Sequence, residues 1–307
     1  MLNEHNENSR PPNGGEEGKN VPLFQRTEDE RLRRRQIVQS DILAMRNHVR
    51  FDQADWLAAE EPLEIRVCGP DQEAISVAVT MRTPGNDDEL AVGFLYTEGL
   101  VHSRAEIVDL EANTLRLNGQ LCNTATVTLT HSFDPAPLKR NFYATSSCGI
   151  CGKASLEQIA IHCTPVDPGP VLPGSVLTGL PLVLRQAQQV FDQTGGLHAS
   201  GLFDLTGRLV SLREDVGRHN AVDKLVGQMV LAGETPLSER VLLVSGRTSF
   251  EIMQKSAMAR VPIVCAVSAP SSLAVEVAKR FRMTLVGFLR DQSFNVYSHP
   301  ERIALGS

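Results

Sequence analysis

Three apolar runs near the C-terminus constrain this chain more than any other feature: residues 240–244, 261–267 and 283–288. Each is short and nearly unbroken, the pattern of a strand buried on both faces. Between them lie two helix-length stretches, 249–259 and 272–281. Strand–helix–strand alternation of this kind favours parallel pairing, with helices covering both faces of one sheet. Just upstream, residues 198–204 and 209–214 form a hairpin pattern around Thr206-Gly207. A helix over 215–232 follows, with Asp215 as its cap and Gly233 as its stop. Its apolar stripe is Val222, Leu225, Val226, Met229 and Val230. One more helix is expected over 177–194. The fold class for residues 175–307 is therefore α/β.

The first half has a different texture. Residues 37–138 are expected to form a smaller α+β N-terminal domain. Strands 64–67 and 74–81 pair across a Gly-Pro-Asp turn. Asp87 and Asp88 open a helix over 89–98, with Gly99 as its C-terminal stop. Residues 107–110, 114–117 and 125–129 are expected as short strands. Residues 1–36 are a polar tail that ends in the cluster Arg31, Arg33, Arg34 and Arg35. Residues 139–174 are a connector, within which 154–161 is expected as a short helix or strand. A chain of 307 residues has room for two domains. At that size roughly 75% of the unfolded surface is buried, so folding needs neither disulfide nor metal.

The formal net charge of −6 argues against a surface built to grip DNA or RNA. The N-terminal residues lack the apolar core of a signal peptide, and no run of 18 uncharged apolar residues occurs. A cytoplasmic location without a membrane partner is expected.

Six cysteines are present, and four of them, Cys68, Cys122, Cys163 and Cys265, stand alone. The other two form the pair Ser147-Cys148-Gly149-Ile150-Cys151-Gly152. Small neighbours, with Pro135 and Pro137 upstream, suit an exposed loop. Lys153 is a cation that favours the thiolate. The residues leave three readings open. The pair is a redox-active or sulfur-carrying loop, or half of a zinc site completed by distant ligands such as His162 and Cys163, or incidental surface cysteine.

Two polar groups are candidates for a ligand site, the second of them read equally well as an ordinary strand-to-helix turn. Asp215 to Lys224 places Arg218 and His219 at a helix start. This suits a polar anion, or else simply a capped and solvated first turn. Ser245-Gly246-Arg247-Thr248-Ser249 falls where a strand ends and a helix begins, the place where open α/β sheets bind ligands. Its hydroxyls, backbone donors and Arg247 suit phosphate, although it has neither GxGxxG nor GxxxxGK. Ser268 and Ser271 occupy the matching turn after the next strand. Phe288-Leu289-Arg290-Asp291-Gln292-Ser293 is expected as an exit loop, either a plain surface turn or one that stacks on a base and accepts from a guanine edge. His198, in Thr194-Gly195-Gly196-Leu197-His198, either meets a ligand or satisfies the hairpin.

Taken in order, the CxxC segment, Thr194 to His198, Asp215 to Lys224, Ser245-Gly246-Arg247 and Phe294-Asn295-Val296-Tyr297 resemble the formate dehydrogenase accessory sulfurtransferase family. The resemblance implies a sulfurtransferase that takes persulfide sulfur from a cysteine desulfurase. It implies delivery to the molybdenum cofactor, bis-molybdopterin guanine dinucleotide, as bound substrate before the formate dehydrogenase catalytic subunit receives it. It further implies Cys148 as sulfur bearer with Cys151 as partner, cofactor contact at residues 288–293, and a homodimer. The main domain is then expected as a three-layer, cytidine-deaminase-like core. The HxE and PCxxC pattern of zinc deaminases is missing, so no catalytic zinc is expected. A cofactor-binding chaperone without sulfur transfer and a structural zinc protein are the competing readings.

Overall fold

The computed structural model describes residues 35–117, 120–134, 163–166 and 168–304. The tail before residue 35, the expected element at 154–161, and the pair Cys148 and Cys151 lie outside the described residues.

The chain opens with a hairpin, β1 (Ile37–Arg46) and β2 (Val49–Ala58), in a region where the sequence marked no strand. A four-stranded sheet follows, made of β3 (Glu61–Cys68), β4 (Ile75–Arg82), β5 (Ile107–Leu117) and β6 (Gln120–Leu129) in the order β4-β3-β6-β5. Helix α1 (Asp87–Thr97) lies between β4 and β5. Residues 107–117 form one continuous strand rather than two, because the ladder to β6 holds them together through Ala112 and Asn113.

After β7 (Leu172–Pro173) come α2 (Gly174–Ala187) and α3 (Gln189–Thr194). The single helix expected over 177–194 is therefore broken. Gln188 leaves helical geometry, and the Glu214 carboxylate accepts the freed Val190 and Phe191 N–H groups at 3.1 and 3.0 Å. The main sheet then assembles from β8 (His198–Phe203), β9 (Leu209–Asp215), β10 (Val241–Val244), β11 (Ile263–Ala266), β12 (Thr284–Arg290) and β13 (Ser293–Ser298). Helices α4 (Arg218–Leu231), α5 (Phe250–Met258) and α6 (Ser272–Arg280) connect them, and β14 (Ile303–Ala304) pairs with β7.

The order across the main sheet is β13-β12-β11-β10-β8-β9. The three apolar runs, β10, β11 and β12, pair in parallel as their sequence required. Their side chains alternate between two cores. Val241, Leu243, Ile263, Cys265 and Val286 pack with Leu177, Leu180 and Leu184 of α2. Leu242, Val244, Val264, Ala266 and Leu285 pack with α4, α5 and α6. The second core continues without a break into α1 and the small sheet, through Leu90, Leu95, Ile65 and Val127.

Two glycines make that continuity possible. A Cβ on Gly93 would lie 1.8 Å from the Asp223 carbonyl oxygen, and one on Gly227 would lie 1.8 Å from that of Glu89. Helices α1 and α4 thus touch backbone to backbone, closer than any side chain permits. Buried and partly buried ion pairs ring the crossing. Arg213 meets Glu89 at 2.5 Å, Lys224 meets Asp215 at 2.7 Å, and Lys255 meets Asp223 at 2.9 Å.

Candidate functional site

Because β10, β11 and β12 are parallel, their C-terminal ends open on one edge of the sheet, and the following loops gather there. Strand β8 runs the other way, so its first residue, His198, arrives at the same edge. The last residue of β9, Asp215, pairs with His198 and delivers the start of α4 beside it. Five separate sequence segments thereby share one rim.

Backbone bonds lock the loops together. Ser245 donates its N–H to the Ala199 carbonyl and accepts the Ala199 N–H on its Oγ, both at 2.9 Å. Ser271 N–H donates to the Thr248 carbonyl at 2.9 Å, and Phe288 N–H donates to that of Ser268 at 3.1 Å. Gly246 lies against the His198 ring; a Cβ there would meet Nδ1 at 3.2 Å. Arg247 stands exposed beside them.

The charges on this rim are sorted by burial. Burial first, then the neighbouring Arg218 guanidinium, holds His198 below its ordinary value, against the pull of Asp215. At neutral pH His198 is thus a neutral imidazole, able to donate one hydrogen bond and accept another. Nε2 of His219 lies 3.1 Å from Glu251 and 3.2 Å from Ser249 Oγ. The His219 bond holds the Glu251 carboxyl down to about 2, against desolvation. Among the described residues, Arg218 Nε and Thr248 Oγ1 are buried without a hydrogen-bond partner. Such groups cost free energy unless something meets them, and both a guanidinium and a hydroxyl suit an anionic oxygen.

Not every expected contact sits here. Asp215, Asn220, Asp223 and Lys224 are buried, so half of the polar cluster at this helix start is structural. Asp215 does not cap the helix by its position in it: Gly217 is the N-cap, and the Asp215 carboxylate instead accepts from Thr83 N–H, Gly217 N–H and Asn220 Nδ2. Burial pushes the Lys224 ammonium below its ordinary value, with Asp215 opposing. Residues 288–293 are not an open exit loop: β12 runs on to Arg290 and turns directly into β13. Phe288 and Asp291 adopt positive φ of 53° and 52° at this turn. Leu289 is wholly buried, which leaves Phe288, Arg290, Asp291, Gln292 and Ser293 facing outward. Strand β12 is three strand steps from β8, so Phe288 and His198 stand about 14 Å apart across the sheet. They would contact opposite ends of an extended ligand and not one group of it.

The sequence reading missed Glu251. Its signal was an acid in the first turn of a helix, two residues after the Ser249 cap. Cys163, weighed as a zinc ligand, has its thiol 3.0 Å from Met258 Sδ, and burial pushes it up to about 11. Among the described residues no group of three or more His, Cys, Asp or Glu is placed to hold a metal ion, and no helix is long and apolar enough to cross a membrane.

Fold and rim together define a mixed α/β protein with several sheets, with polar loops gathered at the C-terminal edge of the largest. The FdhD/NarQ family model matches residues 58–304, and the chain belongs to that family. A relative named sulfur carrier protein FdhD from Streptomyces avermitilis is 48% identical over 280 residues, covering 86% of this chain and 94% of that one. One of the same name from Thermoplasma volcanium is 44% identical over 273 residues, covering 83% and 94%. A crystal structure of a formate dehydrogenase accessory protein from Desulfotalea psychrophila superposes with a TM-score of 0.67 at 26% identity, covering 87% of this chain and 99% of that one.

Proposed function

We propose that this protein is a sulfur carrier that serves formate dehydrogenase by way of its molybdenum cofactor. The Cys148 thiolate attacks the outer sulfur of a cysteine desulfurase persulfide. The donor's S–S bond breaks, its thiolate leaves, and Cys148 keeps the sulfur as a persulfide. Cys151 is the neighbouring thiol that can resolve it. The acceptor is the bis-molybdopterin guanine dinucleotide cofactor, held as substrate on the rim described above.

The observation that carries the reading is the convergence of His198, Arg218, His219, Ser245, Gly246 and Arg247 on one edge, with Arg218 Nε buried and unmet among the described residues. These groups fit phosphate. The turn at Arg290 and Asp291 fits the far end of the same ligand, where a carboxylate can accept from the N1–H and amino group of guanine. Helices on both faces of the main sheet support reading it as a three-layer, cytidine-deaminase-like core, used here for binding and not for deamination.

Chain length permits the transfer. The described chain resumes at Cys163 beside Met258, at the end of α5 away from the rim, and α5 is about 14 Å long. The 15 residues from Cys148 to Cys163 can span up to about 50 Å.

Incubation with desulfurase and cysteine should add about 32 Da, one sulfur atom, to Cys148 or Cys151 in the intact mass. Cys148→Ala should lose transferable sulfur and keep guanine-nucleotide binding. A protein that binds nucleotide but never gains the sulfur would be a cofactor chaperone, and full formate dehydrogenase activity with Cys148→Ala would refute sulfur transfer through this residue.

A further inference from the structure

The loops that follow β10 and β11 use their serines differently. Ser271 is the N-cap of α6, and its hydroxyl accepts the Ala274 N–H at 3.2 Å, the usual task of a serine in that place. Ser249 is the N-cap of α5, with extended backbone of the same kind, yet its side chain makes no capping bond. Its hydroxyl donates to Glu251 Oε2 at 2.9 Å and lies 3.2 Å from Nε2 of His219. A serine cap contributes about 1 kcal/mol to a helix, and an exposed ion pair about 0–1 kcal/mol. Glu251 is 55% exposed and His219 32%, so stability alone does not favour giving up the cap.

The three contacts determine the state of one ring nitrogen. The Glu251 oxygen that accepts from Ser249 also lies 3.1 Å from His219 Nε2. With the serine proton given to the carboxylate, the hydroxyl oxygen facing Nε2 is an acceptor, and so is the carboxylate. Nε2 therefore carries a proton and shares it between two oxygens. Holding one nitrogen of an imidazole fixes the plane of the ring and leaves the other nitrogen for a ligand. Nδ1 of His219 has no hydrogen-bond partner among the described residues.

We infer that Glu251 is a positioning residue for the ligand of the rim: together with Ser249 it holds the His219 ring so that Nδ1 meets an anionic oxygen beside Arg218. This inference rests on the reading of the rim as an anion site and names a residue that serves it without touching the ligand. Two effects of opposite sign meet at Glu251. Its carboxylate adds a negative charge to a rim that carries Arg218 and Arg247, so by charge alone its removal tightens the binding of an anion. By position its removal frees the His219 ring and weakens that binding. The direct bonds to Ser249 and His219 make position the larger effect.

Calorimetric titration of the full chain with guanosine diphosphate tests this. Glu251→Ala should weaken binding about fivefold. Glu251→Gln keeps one carbonyl oxygen that accepts from both Ser249 and His219, and should bind within about twofold of the parent or more tightly. His219→Ala should weaken binding about fivefold or more, and adding Glu251→Ala to it should weaken binding no further. Both side chains are partly exposed, so the variants fold, which circular dichroism checks. Glu251→Ala that binds as tightly as the parent or more tightly, Glu251→Gln that loses as much as Glu251→Ala, or a further loss in the His219→Ala background would each overturn the positioning role and leave the anion site standing. A parent chain that does not bind guanosine diphosphate would overturn the anion site and the positioning role with it.

Discussion

The ten residues from Asp215 to Lys224 contain two regions of opposite character. Asp215, Asn220, Asp223 and Lys224 point into the junction with α1 and β4, and each is more than nine-tenths buried. Arg218 and His219, on the same first turns of α4, stay half-exposed on the rim. The buried set is satisfied inside the protein. Asp215 meets Lys224, and Asp223 meets Lys255 while accepting from Thr97 Oγ1 at 2.8 Å. Asp223 is raised by its own burial, against Lys255. The carboxylates Asp223 and Glu98 outweigh burial and hold Lys255 above its ordinary value. On the rim, Arg218 Nε is left without a hydrogen-bond partner among the described residues, while His219 Nε2 meets Glu251 and Ser249. Density of polar residues in a sequence therefore does not by itself mark a site, because half of this cluster serves the fold.

The largest expected effect tests the buried half. Asp215→Ala leaves Lys224 without its carboxylate in the interior, and should cost about 3–5 kcal/mol in denaturant unfolding. A cost under about 1 kcal/mol would mean that water reaches the pair and that the contrast with the rim is false.

Arg218→Ala tests the rim half and should do the reverse. Guanosine diphosphate binding should weaken about tenfold, and more steeply at low salt, with stability within about 1 kcal/mol of the parent. If stability falls and binding holds, Arg218 belongs with the structural group.

The smallest effect concerns Glu251. Its carboxyl titrates at about 2 in the folded chain against an ordinary 4.5, chiefly through the His219 bond. A depressed carboxyl stabilises the fold above its unfolded value, and that stabilisation is lost as pH falls through the folded one. Glu251→Gln should therefore be slightly less stable than the parent above about pH 4.5, with the two converging toward about pH 2. The carboxylate is about half exposed, so solvent screening keeps this small. A difference that is the same at pH 2 and pH 6 would show that the pairing with His219 does not matter.

Much of this was legible beforehand. The parallel trio β10, β11 and β12, the hairpin at Gly207 and the apolar stripe of α4 follow from local periodicity, which is a property of neighbouring residues. The loops after β10 and β11 were placed correctly for the same reason: a strand-to-helix junction is a local event. The β1–β2 hairpin escaped notice because both of its faces mix apolar and charged residues, so it has no clean alternation. The break at Gln188 also escaped, since it depends on Glu214, a residue 26 positions away. For Cys148 and Cys151 the sequence is still the only witness, because both lie outside the described residues.

By itself the sequence determined which segments become strands and helices in the second half, and which polar residue types lie near the strand ends. Only the tertiary structure decided which of those residues were spent on holding the fold. Gly93 and Gly227 let two helices meet backbone to backbone, and that contact drew Asp223 and Lys224 inward while Arg218 and His219 stayed at the edge. Burial is a sum over neighbours distant in the chain, so no local pattern can encode it.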